Sequence, residues 1–366
     1  MKKQLKNKKV LIALISVCIV LAAALSVFIY YKTGLKAVSS RETPTSFQVQ
    51  PGETSEAVLD KLQTQELIRN KTVAKLYMKF HGLSDIKAGN FKLDARWDTP
   101  KILETLNDSK QANADDIKIT FKEGMWAKDV AALIEKQTGV KAGELLALWN
   151  DDAYLNTLIK KYSFLSRDIL NAQYKVKLEG YLYPESIFGG FFYPEPNTFH
   201  KDATAKQITE TFLDQFQKAI APYEADIKKS GMSMQEAITF ASIVQYEAST
   251  KEDMEMIVGV FQNRLKQGMT LDSSVTVCYA LYDDMTSGED CEVNTHIDSP
   301  YNTYKNAGLP IGPILNPGAM AIQAVLHPKA NDYLYFVADI YGDGKVYYAR
   351  TLDEQEANID KYNLRK

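Results

Sequence analysis

The sequence has little of what local metal or redox motifs require. Its 366 residues include three cysteines and four histidines, with no Cys-x-x-Cys pair and with the histidines far apart along the chain. No metal site is therefore predicted, although one assembled from residues distant in sequence stays open. Positive charge is not in excess either, since the formal net charge is −3 and no long basic block occurs. This balance argues against nucleic acid as a partner.

What the sequence does have is a long uncharged run near its N-terminus. Five lysines precede residue 10, residues 10–31 carry no charge, and Lys32 follows. A helix of that length crosses about 30 Å of hydrocarbon, and the lysines place residues 1–9 in the cytoplasm by the positive-inside rule. The rest of the chain is then expected outside the membrane. A cleaved signal peptide is the alternative, but the run is longer than a usual signal core, and Val17 makes Cys18 a poor lipoprotein site.

Two small α+β units are predicted after a polar linker at residues 32–46. In the first, strand-like alternation begins at Phe47, a Pro-Gly turn follows, and a helical pattern comes next. A related order of strand, glycine turn and helix begins at Ile117. These units, placed within residues 45–140, resemble LysM-type modules, which bind glycan chains. Spacers with ordinary hydrophobic cores are the alternative.

A helical connection at residues 141–176 is expected to lead to a mixed α+β catalytic domain at residues 177–366. This last segment holds the densest aromatic and polar clusters of the sequence. Sugars need that combination, because each ring has apolar C–H faces and a rim of hydroxyls, although part of the aromatic set is expected in the core. The candidate substrate-binding residues are Glu179, Tyr181, Glu185, Tyr301, Asn302, Thr303, Tyr304 and Asn316.

One acidic residue, Glu247, interrupts a segment that otherwise reads as a buried helix. Ser233 and Glu236 form a capping-box pattern that predicts where this helix begins. An apolar stripe that includes Phe240 and Val244 follows, and Glu247 lies on its flank. Loss of hydration raises the pKa of a carboxyl group, which can then donate a proton to a leaving oxygen near neutral pH. The alternative is a helix-end glutamate that pairs with a lysine or reaches water.

Several motifs in a fixed order give the chain a specific resemblance. Behind the N-terminal run come KLEGYLYPES, ASIVQYEAS, VFQNRL, YNTYKNAGLPIGPILNPG, AVLHP and YLYFV. This series resembles the MltG (YceG-like) family of endolytic peptidoglycan transglycosylases over essentially the whole chain. The family's catalytic glutamate is the second acidic position of a motif similar to ASIVEKE, which corresponds to Glu247. The first acidic position is Gln245 here, and the family's usual DPT reads Ser274, Val275 and Thr276.

The resemblance implies cleavage of the β-1,4 bond between N-acetylmuramic acid and N-acetylglucosamine in nascent strands, leaving a 1,6-anhydro end. Glu247 would protonate the departing oxygen and then accept the proton of the attacking carbon-6 hydroxyl. Gln245 would bind sugar or orient Glu247. The implied partners are glycan strands, the membrane and the peptidoglycan synthases, and no metal or organic cofactor is implied.

Two other function classes stay open at this point. A lysozyme-type hydrolase would use Glu185 or Asp272 as a second carboxylate. A non-catalytic peptidoglycan-binding scaffold of the wall-synthesis machinery would need only the anchor and the glycan-binding surfaces.

The two cysteines after the membrane run are expected to form a structural disulfide. Cys278 and Cys291 both lie on the predicted outer side, where disulfides persist if an oxidant is present. The loop between them is polar and contains a glycine, so it can bend. Free thiols are the alternative, because sequence does not supply the Cα separation that the bond requires.

Overall fold

The computed structural model describes most of the chain, in two compact units. The residues described are 2–50, 52–112, 116–183, 186–188, 191–193, 197–200, 203–339 and 342–364. The first unit is Met1–Asp116 and the second is Ile117–Lys366. Helices and strands are mixed in both, which confirms the predicted α+β class.

The first unit begins with the apolar helix that the sequence predicted. Helix α1 runs over Lys2–Gly34. Its part Ile15–Gly34 has a mean hydropathy of 2.0. Within that part, residues 15–33 are exposed or partly exposed and Gly34 is buried. Twenty residues of helix measure about 30 Å, so this segment is long enough and apolar enough to cross a membrane once.

The remainder of the first unit is a small α+β fold with its own core. It contains β1 (Pro44–Val49), α2 (Ser55–Thr64), α3 (Lys71–His81), β2 (Gly89–Asp94) and α4 (Thr99–Asn107). Strands β1 and β2 pair antiparallel, with Phe47 opposite Phe91. Both rings are fully buried, together with apolar residues of all three helices. The side chains of Thr54, Asn70 and Asp98 cap the three helices, which explains where each begins.

The second unit is mainly helical, with short two-stranded sheets. Its elements up to residue 230 are β3 (Asp116–Ile119), α5 (Ala127–Gln137), α6 (Ala142–Leu148), α7 (Asp152–Lys161), β4 (Ser186–Phe188), β5 (Phe191–Tyr193), β6 (Asn197–His200), α8 (Ala205–Ile220) and α9 (Glu224–Ser230). The later elements are α10 (Met234–Glu247), α11 (Lys251–Lys266), α12 (Ser274–Leu281), α13 (Glu289–Val293), α14 (Ala319–Leu326), β7 (Tyr335–Ala338), β8 (Val346–Ala349) and α15 (Leu352–Tyr362). The strand pairs are β3 with β6, β4 with β5, and β7 with β8.

The second strand–turn–helix segment packs with the larger unit. Ile119, Phe121 and Val130 are buried in the same core cluster as Leu178 and Val244. The range 45–140 that the sequence suggested for two small units therefore crosses the boundary between the compact units. The existence of the strand and helix was predicted, but their packing partners were not.

Helix α10 lies in the middle of the second core. The predicted capping box is present, because Ser233 accepts from Glu236 N–H while the Glu236 side chain accepts from Ser233 N–H. From Ala237 to Val244 every residue is buried, including Ser242. The expectation of a one-sided apolar stripe was therefore wrong. Helices α11 and α14 pack against α10, and Ser242 Oγ accepts from Ile314 N–H.

The predicted disulfide is also present. Cys278 on α12 and Cys291 on α13 are bonded, with Cα atoms 4.8 Å apart and 13 positions apart in sequence. The bond ties the two short helices together. Cys18, in the N-terminal helix, is free.

Replacing both bonded cysteines should lower stability. Removing a disulfide that closes a loop of this length lowers the free energy of unfolding by about 3 kcal/mol. For a unit of this size, that loss corresponds to a decrease of roughly 6–12 °C in Tm. We therefore expect Cys278→Ser with Cys291→Ser to lower the melting temperature by that amount in a calorimetric scan. Cys18→Ser is the matched control and should leave the melting temperature unchanged. Equal melting temperatures for wild type and double variant would show that the bond contributes nothing.

Candidate active site

A deep cleft opens where α10 ends and α12 begins. Its volume is about 810 Å³. Segments from α10 to α13, the loop after residue 300, strand β7 and the C-terminal helix all contribute to its walls. The lining residues are Tyr246, Glu247, Arg264, Leu271, Asp272, Ser273, Ser274, Val275, Glu292, Tyr304, Tyr335, Phe336, Val337, Ala338, Leu352, Gln355 and Leu364.

Glu247 is the last residue of α10 and is half-buried in the cleft wall. Burial displaces water from its carboxyl group and raises the pKa to about 7. The hydroxyl of Ser273 opposes this by donating to Oε1 at 2.5 Å, and the negative charge of Glu292 raises the pKa further. The described residues supply no lysine or arginine within ion-pair distance of Glu247. Near neutral pH the carboxyl can therefore be present in both protonation states.

Ser273 is held in place by two buried threonines. Its N–H donates to Thr303 Oγ1 at 3.2 Å, and its carbonyl accepts from Thr276 Oγ1 at 2.7 Å. The two threonine hydroxyls are 2.9 Å apart. The loop around residue 303 thus fixes the start of α12, and through Ser273 it fixes the Glu247 carboxyl.

Arg264 and Asp272 also line the cleft. The guanidinium pairs with Asp272 and donates to the carbonyls of Thr270 at 2.7 Å and Leu334 at 2.9 Å. It also lies over the ring of Tyr335, 5.3 Å from the centroid. Asp272 accepts a second bond from the Thr270 hydroxyl. Both carboxylate oxygens of Asp272 are therefore engaged by neighbouring side chains.

Glu179 does not face the cleft, although the sequence suggested it as a substrate ligand. Its carboxyl is buried and accepts from Ala127 N–H at 2.9 Å, from Asn316 Nδ2 at 2.9 Å and from the Tyr279 hydroxyl at 3.1 Å. Burial raises its pKa to about 8, against the effect of these hydrogen bonds. Asn316 is equally buried, and its amide oxygen accepts from the N–H groups of Gly180 and Leu182. These two residues join three loops inside the core.

Three further candidates are interior residues as well. The Tyr181 hydroxyl donates to Gln235 at 2.5 Å, and Tyr301 packs edge-on against Tyr279. Asn302 donates to two backbone carbonyls of its own loop. All three are buried, so their predicted contact with substrate finds no support in this geometry. Their polar atoms are satisfied inside the protein, as buried polar atoms generally are.

Of the remaining candidates, Tyr304 lines the cleft beside Glu247. Thr303 is buried behind Ser273 and acts on the site through it. Glu185 lies outside the described residues.

Gln245 points to the side of α10 away from Ser273. Its Oε1 accepts from Gly318 N–H at 2.9 Å, and its Nε2 donates to Glu123 Oε2 at 3.3 Å. The other oxygen of Glu123 is buried and makes no hydrogen bond to the described residues. A Cβ added at Gly318 would overlap the Glu123 carboxyl, so any larger residue here would have to displace that side chain. Gln245 is therefore a link between segments and does not line the cleft.

Sequence reasoning missed several residues of the cleft. Ser273 and Glu292 were not singled out, and Arg264 and Tyr335 were noted only as letters of the motifs VFQNRL and YLYFV. A local signal for Ser273 did exist, since it lies next to the altered DPT motif. The contact between Ser273 and Glu247 joins positions 26 apart in sequence, which no local pattern reveals.

No group of three His, Cys, Asp or Glu side chains suited to a metal ion occurs among the residues that the structure describes. The cleft offers a proton-transfer group, one ion pair and aromatic walls. This arrangement is suited to general acid–base chemistry on a polar, ring-shaped substrate.

Comparison with known proteins gives consistent matches over most of the chain. The model of the YceG-like family matches residues 47–361. The endolytic murein transglycosylase of Bacillus subtilis (strain 168) is 32% identical over 339 residues, which is 92% of this chain and 89% of that protein. The endolytic murein transglycosylase of Streptococcus pneumoniae (strain D39) is 29% identical over 314 residues, and the match spans only 55% of its length. A crystal structure of a YceG-like protein from Listeria monocytogenes covers 87% of this chain at 32% identity, with a TM-score of 0.58.

Removing the Ser273 hydroxyl should raise the pKa of Glu247. The hydroxyl stabilises the carboxylate, so Ser273→Ala favours the protonated form and moves the titration above its present value of about 7. NMR titration of the carboxyl carbon measures this shift directly. Ser274→Ala is the matched control, because Ser274 lines the same cleft and should leave the titration in place. A lower pKa in Ser273→Ala would contradict the assigned hydrogen bond.

Replacing Gln245 by glutamate, the acidic residue that the family usually has at this motif position, should destabilise the fold above neutral pH. Gln245→Glu keeps an acceptor for Gly318 but places a second carboxylate against Glu123. Two carboxylates in contact cannot both ionise cheaply, so we expect a loss of about 1–2 kcal/mol in unfolding free energy at pH 8. Urea unfolding measures it, and Glu123→Gln added to the same chain should restore most of the loss. Failure of that rescue would mean that the two side chains do not interact.

Proposed function

The chain belongs to the YceG-like family, and from this membership and the geometry around Glu247 we propose that it is an endolytic murein transglycosylase. Its substrate would be the glycan strand of peptidoglycan. The bond broken would be the β-1,4 linkage between N-acetylmuramic acid and N-acetylglucosamine. The B. subtilis and S. pneumoniae relatives that carry this name support the proposal.

The observation that carries the mechanism is a half-buried carboxyl with a pKa of about 7 in the wall of a cleft of about 810 Å³. In its protonated form Glu247 would donate a proton to the glycosidic oxygen as the bond to the muramic acid C1 breaks. The resulting carboxylate would then accept the proton of the C6 hydroxyl as that oxygen bonds to C1. The proton lost in the first step is regained in the second, and no water is consumed.

A second carboxylate is not required for this reaction, because the nucleophile belongs to the substrate. The C6 hydroxyl is already attached to the ring that it attacks. The reaction therefore needs neither an activated water molecule nor a covalent enzyme intermediate. Asp272 is engaged by Arg264 and Thr270, in keeping with a structural role. Ser273 would orient Glu247 and stabilise the carboxylate formed between the two proton transfers.

The cleft walls fit a glycan strand. Tyr246, Tyr304, Tyr335 and Phe336 provide aromatic surface for the apolar faces of sugar rings. A second cavity of about 370 Å³ adjoins the cleft, with Tyr246 and Val275 lining both. Trp126 also lines this second cavity and stacks on Tyr282. A glycan strand that lies along both cavities would contact aromatic side chains in each of them.

The N-terminal helix would anchor the enzyme beside its substrate. Residues 10–31 would cross the membrane once, with residues 1–9 in the cytoplasm and the linker 32–46 and the rest of the chain outside. The LysM-like α+β units proposed within residues 45–140 would bind glycan, and the connection 141–176 and the catalytic domain 177–366 would follow them. An anchored enzyme acting on nascent strands would work beside the peptidoglycan synthases, which are its proposed partners.

A lysozyme-type hydrolase is the second candidate, because Asp272 and Glu292 line the same cleft as Glu247. Either carboxylate would have to activate water. The products separate the two candidates, since anhydro ends are lighter than hydrolysed ends by one water. Digestion of purified peptidoglycan followed by mass analysis of the released muropeptides therefore tests the proposed reaction. Release of hydrolysed ends without any anhydro ends would exclude the transglycosylase reaction.

Glu247→Gln should abolish cleavage while leaving the fold intact. Glutamine is nearly isosteric but transfers no proton, and loss of a general acid lowers rates by about 10²–10⁴-fold. Release of muropeptides from purified peptidoglycan measures the effect. Glu292→Gln is the matched control, because it removes an exposed carboxylate of the same cleft and should leave the rate within about tenfold. Equal losses in both variants would favour the two-carboxylate hydrolase.

The natural glutamine at position 245 is not expected to limit the reaction. Because Gln245 contacts Glu123 and Gly318 outside the cleft, Gln245→Glu should leave cleavage within roughly tenfold of wild type, or about 1.4 kcal/mol of barrier. A gain of a hundredfold or more in the same muropeptide assay would show that the glutamine cripples the enzyme.

A further inference from the structure

Helix α3 of the first unit exposes two large apolar side chains. Phe80 is 72% exposed, the highest value among the large hydrophobic side chains described, and Leu76 is 43% exposed. Single exposed apolar residues are common on soluble proteins. These two are four positions apart on one helix, so they form a continuous patch.

The first turn of α3 is fixed against the outer end of the apolar N-terminal helix. Asn70, which caps α3, donates from Nδ2 to the Tyr30 hydroxyl at 2.6 Å. A Cβ added at Gly34 would lie 2.8 Å from Val73 Cγ2, so the two backbones approach closely at this point. The end of the membrane-length segment therefore contacts α3 directly.

The exposed patch continues the face of α3 that makes this contact. At about 100° per residue, Val73, Leu76 and Phe80 fall within roughly 60° of one another around the helix axis. Ala74 and Met78, which enter the core, lie on a different side. Lys75 is also turned away, since it pairs with Glu56 of α2. One apolar stripe thus runs along α3, from Val73 at the contact with the anchor helix to the exposed side chains of Leu76 and Phe80.

We propose that this face of α3 lies on the outer surface of the membrane that the N-terminal helix crosses. Leu76 and Phe80 would enter the lipid at the level of the upper acyl chains, and Lys79, exposed between them in sequence, would extend to lipid phosphates. The inference rests on the anchoring proposed above. It makes the first unit a membrane-surface module whose orientation is fixed by two contacts: the anchor and the α3 face.

Spin-label accessibility in the full-length protein tests this placement. The protein is reconstituted into vesicles of phosphatidylglycerol and phosphatidylethanolamine, and collisions of the label with oxygen and with a water-soluble nickel chelate are compared. Cys18→Ser with Phe80→Cys places the label on the patch, and Cys18→Ser with Lys75→Cys is the control on the same helix. Wild type labelled at Cys18 reports the anchor, because the other two cysteines are bonded.

We expect the label at position 80 to collide mainly with oxygen, as the Cys18 label does, and the label at 75 to collide mainly with nickel. Nickel-accessible labels at both 75 and 80, with Cys18 in lipid, would overturn the inference and leave the anchor intact. A nickel-accessible Cys18 would instead refute the anchor itself. Shielding of position 80 from both agents, with dipolar broadening, would assign the face to a second copy of the chain and also overturn the inference.

Discussion

The hydrogen bond from the Ser273 hydroxyl to the Glu247 carboxyl is the contact on which the site depends. It joins the last residue of α10 to the residue that precedes α12, and the threonine pair behind Ser273 holds that junction rigid. Burial alone would favour a permanently protonated carboxyl, and a free hydration shell would favour a permanently ionised one. One donor in an otherwise dehydrating environment leaves the pKa near 7. The role proposed for Glu247, in which it first gives and then takes a proton, needs that balance.

Local patterns in the sequence identified the elements of the fold more successfully than their packing. The capping box of α10, the strand at Phe47 and the N-terminal apolar helix follow from residue chemistry at short range, and the structure contains all three. Burial of α10 on all sides does not follow, because its neighbours α11 and α14 are supplied by distant segments. The same reason explains why the strand–turn–helix segment after Ile117 packs with the larger unit: periodicity shows an apolar face but not which core will cover it.

The candidate site illustrates a second limit of sequence reasoning. Glutamate, asparagine and tyrosine are the residues that bind sugars, but they are also the residues that cross-link buried loops. Glu179 and Asn316 do the latter, since their hydrogen bonds join the segments around residues 127, 180 and 316 within the core. An acid with three donors is satisfied inside the protein, whereas the described residues give Glu247 one donor and an open cleft. The number of partners separates the two roles, and that number depends on tertiary contacts between distant residues.

The glutamine at position 245 becomes understandable once the chemistry is limited to one carboxyl group. A hydrolase must activate water with a second carboxylate, so losing an acid from its catalytic helix would be serious. A transglycosylase uses a hydroxyl that the substrate already holds in place, and a single group can serve both proton transfers. Position 245 is then free to meet a structural demand, namely an acceptor for Gly318 and a donor for Glu123. An amide supplies both at every pH, whereas a glutamate there could donate to Glu123 only while it is protonated.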